Sequence, residues 1–221
     1  IGPNGAGKTS LFNCLTGAYS PQQGTISYAG DRLNGLPPAA RANKGIVRSF
    51  QHVALCPDLT VRENVMMGIA RYGKAGWLSA FLPLPAGARE REEMARSADK
   101  ALVDLGLPDV GDKFPAELPP GMQRLVEIAR AVVGKPSVLM LDEPAAGLNN
   151  SETRDLTTVL RKLASTDLVL VVVEHDMDLV MSICDRIYVL NFGEFVAVGS
   201  PEEVRSNPDV IQIYLGSDDD E

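Results

Sequence analysis

Cations are in short supply in this chain of 221 residues, where 21 Lys and Arg face 29 Asp and Glu for a formal net charge of −8. That balance argues against non-specific nucleic-acid binding, which relies on clustered Lys and Arg meeting phosphates. Cysteine is scarce as well. Cys14, Cys56 and Cys184 are odd in number, far apart and without C-x-x-C spacing, so neither a disulfide framework nor a zinc site is indicated. The two histidines, His52 and His175, are too few and too separated in sequence to suggest a metal cage. No apolar run approaches the length of a bilayer; the longest, LVLVVV at 168–173, is strand-sized. No signal peptide is visible and position 1 is Ile, so the sequence reads as a fragment, a processed chain or an excised domain, most simply cytosolic.

What is present suffices for one sizeable globular unit, with 45% apolar and 23% charged residues. KTSLFNCLTG at 8–17 reads as a helix stopping at Gly17, SPQQGTISYAG as turn, short strand and turn, and IVRSF at 46–50 as a strand. Helices are expected at about 61–72, 89–106 and 121–133, with a less regular stretch, GKAGWLSAFLPLPAG, after the first. Then SVLML (137–141), LVLVVV (168–173) and RIYVL (186–190) alternate with helical segments at 150–165 and 176–184. Apolar strands alternating with helices predict a parallel sheet covered on both faces. EFVAVG after Phe192-Gly193 reads as a hairpin, and SPEEV opens a helix with Ser200 as cap and Glu203 three residues on. The expected architecture is an α/β core at 1–59 and 135–221 with a mainly parallel sheet. A helical subdomain at 60–134 interrupts it, and a solvated acidic tail at 216–221 closes it.

The chemistry begins at once. Gly2 to Thr9 satisfy G-x-x-x-x-G-K-[ST], a loop whose glycines let the backbone wrap phosphates while the next helix points its N-terminus at negative charge. Gly2, Pro3, Asn4, Gly5, Ala6 and Gly7 are the expected cradle, continued by Lys8, Thr9 and Ser10 at the helix start. Lys8 would reach β- and γ-phosphates and the Thr9 hydroxyl would ligate Mg²⁺. The competing reading is a plain glycine-rich turn, which the helical pattern directly after Lys8 weakens. Such a loop follows a strand, yet only Ile1 precedes it.

VLMLDEP at 138–144 is an apolar strand ending in acids. Asp142 would hold Mg²⁺ and Glu143 would polarise an attacking water as general base. Standing alone, the pair has a lesser competing reading as helix-capping acids after a strand, which the loop at 2–9 weakens further. Gln51 and His175 also lie at strand ends: the first could contact metal and water, the second the γ-phosphate. Singly, each reads as a satisfied polar group; their functional reading rests on order and spacing after the first two motifs.

Taken in sequence, the loop, Gln51, a helical insertion, LPPGMQRLVEIARAV, LDEP, AAGLN and EHD resemble the ATP-binding-cassette ATPases over nearly the whole chain. Within that superfamily, LFNCLTGAYSP, VRSFQHVALCPDLTVRENV, LDEPAAGLN, EHDMDLVMSICDRIYVLNFGE and NPDVIQIYLG look like the ATPase subunits of branched-chain amino acid importers. The resemblance implies ATP and Mg²⁺ as cofactors and hydrolysis coupled to transport. It implies a second, identical or related ATPase meeting this one head to tail. It also implies transmembrane permease subunits, a solute-binding protein behind them, and a place at the cytoplasmic face of the membrane.

Each ATP would lie between one loop and the partner's signature segment. The family pattern is L-S-G-G-Q, whereas this chain has Leu118-Pro119-Pro120-Gly121-Met122, without the hydroxyl and two backbone N–H donors. Gly121 and Met122 would act in trans, and the two composite sites are expected to be unequal. The resemblance further implies a strand before the loop and an aromatic platform for adenine; Tyr19 and Tyr28 come after the loop and do not match it. Truncation at the N-terminus is therefore expected, with weakened ATP binding and stability. GWLSAFLPLPAG, with Trp77 and Phe81, reads as a permease contact or as packing within the helical subdomain, and Gln51 links the two subdomains. A soluble cassette acting on ribosomes or DNA is the alternative, though no second cassette, long coiled coil or basic patch supports it. No N-K-x-D guanine motif points to a GTPase. A regulatory cassette with weak hydrolysis stays open through the altered signature.

Overall fold

In the computed structural model, which describes residues 1–49, 54–70 and 88–215, the glycine loop runs straight into α1 (Lys8–Thr16). Gly7 and Gly17 flank it in left-handed conformations, φ 95° and 84°, and the Gly17 N–H returns to the Cys14 carbonyl. A small antiparallel hairpin follows, β1 (Ser27–Tyr28) with β2 (Asp31–Arg32). Next comes α2 (Pro38–Asn43), which the sequence pattern did not indicate. Pro38 occupies its first turn, where its fixed φ suits a helix and an N–H would have no partner. The expected strand is β3 (Ile46–Arg48); the Ser49 N–H extends its ladder by donating to Met140 O at 2.9 Å.

The described residues in the middle of the chain are mostly helical: α3 (Val61–Ala70), α4 (Ala88–Asp104), a 3₁₀ turn at Pro115–Glu117 and α5 (Pro120–Val132). Otherwise charged, α4 buries Met94, Ala98, Ala101 and Leu102 along one stripe. Arg62 ties α3 to α4, its Nε donating to Asp99 at 2.6 Å while Nη1 donates to Asp112. At Gly68 the backbones of α3 and α5 nearly touch, since a Cβ there would lie 1.9 Å from Arg130 O.

The last part alternates β4 (Val138–Asp142), α6 (Asn150–Ala164), β5 (Val169–Val173), α7 (Met177–Ile183), β6 (Ile187–Asn191), β7 (Glu194–Gly199), α8 (Pro201–Arg205) and α9 (Pro208–Leu215). Asn149 caps α6 through the N–H groups of Ser151 and Glu152, and Ser200 caps α8 with Glu203 reaching back, as its spacing suggests.

β3, β4 and β5 form the parallel sheet in that order, Arg48 opposite Met140 and Asp142 opposite Val173. Alternation along β4 sorts its side chains. Leu139 and Leu141 enter a core shared with α3 to α6, while Met140 enters a second core with Phe12, Leu33 and Val173. One apolar cluster thus runs from the helical segment into the sheet. β6, expected in that same parallel sheet, pairs antiparallel with β7 instead. Its other edge is engaged by Ile1, whose amino group donates to Tyr188 O at 2.8 Å and whose carbonyl accepts from Leu190 N–H at 2.9 Å, the two bonds of a parallel bridge. A cleft of about 650 Å³ with apolar walls, among them Val171, Val173, Ile187 and Leu190, separates β5 from β6.

Candidate nucleotide site

The β6–β7 hairpin braces the loop from behind. A Cβ on Gly2 would fall 2.1 Å from Leu190 O, so only glycine fits that approach. Gly193 N–H donates to Ala6 O at 3.1 Å. Gly5 and Gly7 are left-handed, φ 78° and 95°, the kind of backbone from which anion-binding nests are made. The space around Gly5 is open, with nothing within 4 Å of an added Cβ. Asn4, Gly5, Thr9 and Ser10 are exposed, Pro3, Gly7 and Lys8 partly so, and Ala6 is buried.

Lys8 arches back over the loop, Nζ donating to Gly2 O at 2.5 Å and Pro3 O at 2.9 Å. Burial pulls its pKa below the ordinary lysine range, while the charges of Glu143 and then Asp142 pull the other way. The ammonium therefore lies within electrostatic reach of both acids. At the far end of α1, the buried Arg41 donates to the carbonyls of Cys14 and Leu15 at 2.6 and 2.7 Å, and to those of Leu33 and Leu36. At Cys14 and Leu15 it adds donors to carbonyls in the last turn of α1, where i+4 partners run out.

Asp142 closes β4 with 2% exposure and accepts from Arg48 Nη2 at 2.5 Å. Glu143 follows in a left-handed conformation, φ 46°, its N–H donating to Val173 O at 2.8 Å and its carbonyl accepting from Ala146 N–H at 3.1 Å. Such a backbone costs a non-glycine residue about 1 kcal/mol; here it turns the chain sharply off the strand. His175 is exposed, at 67% of its side chain. Its loop is fixed by Glu174, buried to 1%. One Glu174 oxygen accepts from Ala145 N–H at 2.8 Å, and the other from His175 and Asp176 N–H at 3.0 and 3.4 Å. A single carboxylate thus staples the turn after Glu143 to the His175 loop.

In the signature segment, Pro119 precedes and Pro120 begins α5, with no side-chain cap. The Gly121 N–H donates to Glu152 Oε1 at 3.0 Å, while Glu152 Oε2 accepts from Asn149 N–H, also at 3.0 Å. A Cβ on Gly121 would meet Glu152 Cγ at 2.8 Å. Met122, the next residue, is exposed. Gln51, Trp77, Phe81 and the tail 216–221 lie outside the described residues.

Among the described residues no group of three or more His, Cys, Asp or Glu could cage a metal. A divalent cation would need a mixed donor set, such as Asp142 with the Thr9 hydroxyl and phosphate oxygens, which is how Mg²⁺ is commonly held. The guanidinium on Asp142 marks where positive charge is accepted. The motifs pointed to the loop and the two acids; Arg41, Arg48, Glu152 and Glu174 were missed. Glu174 alone carries a sequence signal, an acid closing an apolar strand as Asp142 does.

The family described as ABC transporter matches residues 1–146, and one described as Branched-chain amino acid ATP-binding cassette transporter matches 196–220. The high-affinity branched-chain amino acid transport ATP-binding protein LivG of Salmonella typhimurium is 48% identical over 217 residues, 98% of this chain and 85% of that protein. Its counterpart BraF of Pseudomonas aeruginosa is 45% identical over the same shares. A nucleotide-free ATP-binding cassette from an ABC transporter superposes with a TM-score of 0.82 at 32% identity, covering 97% of this chain and 85% of its own. The ADP conformation of an ATP-binding cassette gives 0.81 at 31%, covering 98% and 86%. Kinship over 98% of this chain agrees with the order of the motifs, and the chain belongs to the ABC transporter ATPases, which bind and hydrolyse ATP.

Proposed function

We propose that this chain energises an importer, driving uptake of branched-chain or other hydrophobic amino acids through permease partners. The observation that carries the site assignment is the left-handed glycine loop opening directly into α1, with Lys8 folded back on its carbonyls and within electrostatic reach of Glu143 and Asp142. The importer reading is supported by relatives named for that transport. The loop from Gly2 to Gly7, with Ser10, holds the phosphates, and Lys8 exchanges carbonyl partners for β- and γ-phosphate oxygens. Thr9 and Asp142 hold Mg²⁺, which supplies charge neutralisation on those oxygens when bound. Glu143 takes the proton of the attacking water and His175 hydrogen-bonds the γ-phosphate. Gln51 adds to the metal and water contacts and passes the state of the site onward.

The division we propose is an α/β core at 1–59 and 135–221 with a helical subdomain at 60–134. Gly121 and Met122 face the nucleotide of a second ATPase in trans. This chain's segment is a poor donor: Pro119 and Pro120 have no N–H and that of Gly121 already serves Glu152. The composite site using it is the slower one. No helix among the described residues is long and apolar enough to cross a membrane. We assign attachment at the cytoplasmic face to the permeases, which a solute-binding protein supplies. The test is reconstitution of the full protein with its co-purifying membrane subunits in liposomes. ATP-dependent leucine accumulation is expected. Co-purification of ribosomal or DNA-repair proteins without any membrane subunit would overturn the importer reading and leave the ATPase chemistry standing.

A further inference from the structure

Arg48 lies in the VRSF segment before Gln51 and was given no role by the sequence, yet it joins the two halves of the site. It ends β3, one strand over from Asp142, and its guanidinium is shared between two partners. Nη2 donates to Asp142 Oδ2 at 2.5 Å and Nη1 to Asn13 Oδ1 at 2.6 Å. Its charge also lies over the Phe12 ring, 5.6 Å from the centroid. The Asp142 side chain is 3% exposed and that of Arg48 19%, so water screens the pair poorly. Phe12 and Asn13 sit on α1, the helix that begins with Lys8 and Thr9. The fork therefore spans from the acid-bearing strand to the helix that carries the loop.

We propose that Arg48 is a positioning residue that acts as the resident counter-charge of Asp142 and must loosen its hold for a divalent cation to bind. The inference rests on the reading of Asp142 as metal ligand. A carboxylate with one oxygen in a charge-assisted bond is held in direction, but it offers an arriving cation a site already partly neutralised. Asn13 and the Phe12 ring give the guanidinium a place to remain when Oδ2 is released. Arg48 thus keeps the acid aimed at α1 and sets how tightly the cation is taken. Lysine would keep the charge without the planar fork that reaches both partners.

Mn²⁺ is the probe, its free concentration followed by electron paramagnetic resonance with ADP and the full protein. Arg48→Met is expected to bind Mn²⁺ about fivefold more tightly while kcat falls, because charge competition and aim are lost together. Nucleotide affinity in EDTA is expected to stay unchanged, which also reports that the variant folds. Arg48→Lys is expected to keep Mn²⁺ affinity within about twofold of the parent and to recover part of kcat. If Arg48→Met loses nucleotide binding in EDTA, Arg48→Gln decides with the same expectation. Unchanged or weaker Mn²⁺ binding in a folded neutral variant overturns the proposal. Asp142→Asn separates the two claims: weakened Mn²⁺ binding there keeps the ligand reading whatever Arg48 does, and unchanged binding sinks the ligand reading itself.

Discussion

Glu174 has both carboxylate oxygens on backbone N–H groups, Ala145 on one side and His175 with Asp176 on the other. Glutamine would keep its shape but turn an NH₂ toward an N–H donor, so one end of the staple fails whichever way the amide is set. Glu174→Gln is expected to lower kcat about tenfold while ATP affinity, set by the loop, moves less than about twofold. Steady-state hydrolysis beside a fluorescent-nucleotide titration checks the split; equal losses in both would assign Glu174 to general stability. At this scale legibility follows distance along the chain. The loop residues and the Asp142-Glu143 pair are contiguous motifs, so the sequence displays them. Arg48 and Asp142 meet only because the parallel register sets Arg48 opposite Met140, and Arg41 reaches α1 through a turn whose path no motif describes.

Where the expected ends fall on described residues, helix and strand ends lie within a residue or two of their periodic signals, because Gly17, Asn149 and Ser200 are stop and cap residues that act locally. Two elements were read less well. α2 lies in PPAARAN, too short for periodicity to show. β6 is apolar enough to suit a central parallel strand, but pairing depends on which edge meets it, and here β7 and Ile1 take those edges. The contact of α3 with α5 was invisible for the same reason. Gly68→Ala would ordinarily favour a helix by about 1 kcal/mol. Here the new Cβ lands 1.9 Å from Arg130 O, a backbone atom that cannot swing aside. Overpacking wins, and a net loss of about 2 kcal/mol is expected in urea unfolding. A gain in stability would show that the two helices are free to part.

For the molecule as a whole, five short motifs in order were enough to indicate the family, since their sequence of appearance rarely recurs by accident. The solute is another matter. Under the importer reading it would be chosen by surfaces on other chains, and nothing in Lys8, Asp142 or Glu143 depends on it. Our proposal makes those three residues the productive hydrolysis site, while the prolines before Gly121 and its bond to Glu152 slow the opposite one. The most direct test is ATP turnover by the assembled complex carrying Glu143→Gln in this chain alone. Removing the general base should cut turnover by a factor of about ten or more while ATP still binds. Survival of half or more of the activity would overturn that assignment and place the working site on the partner's loop.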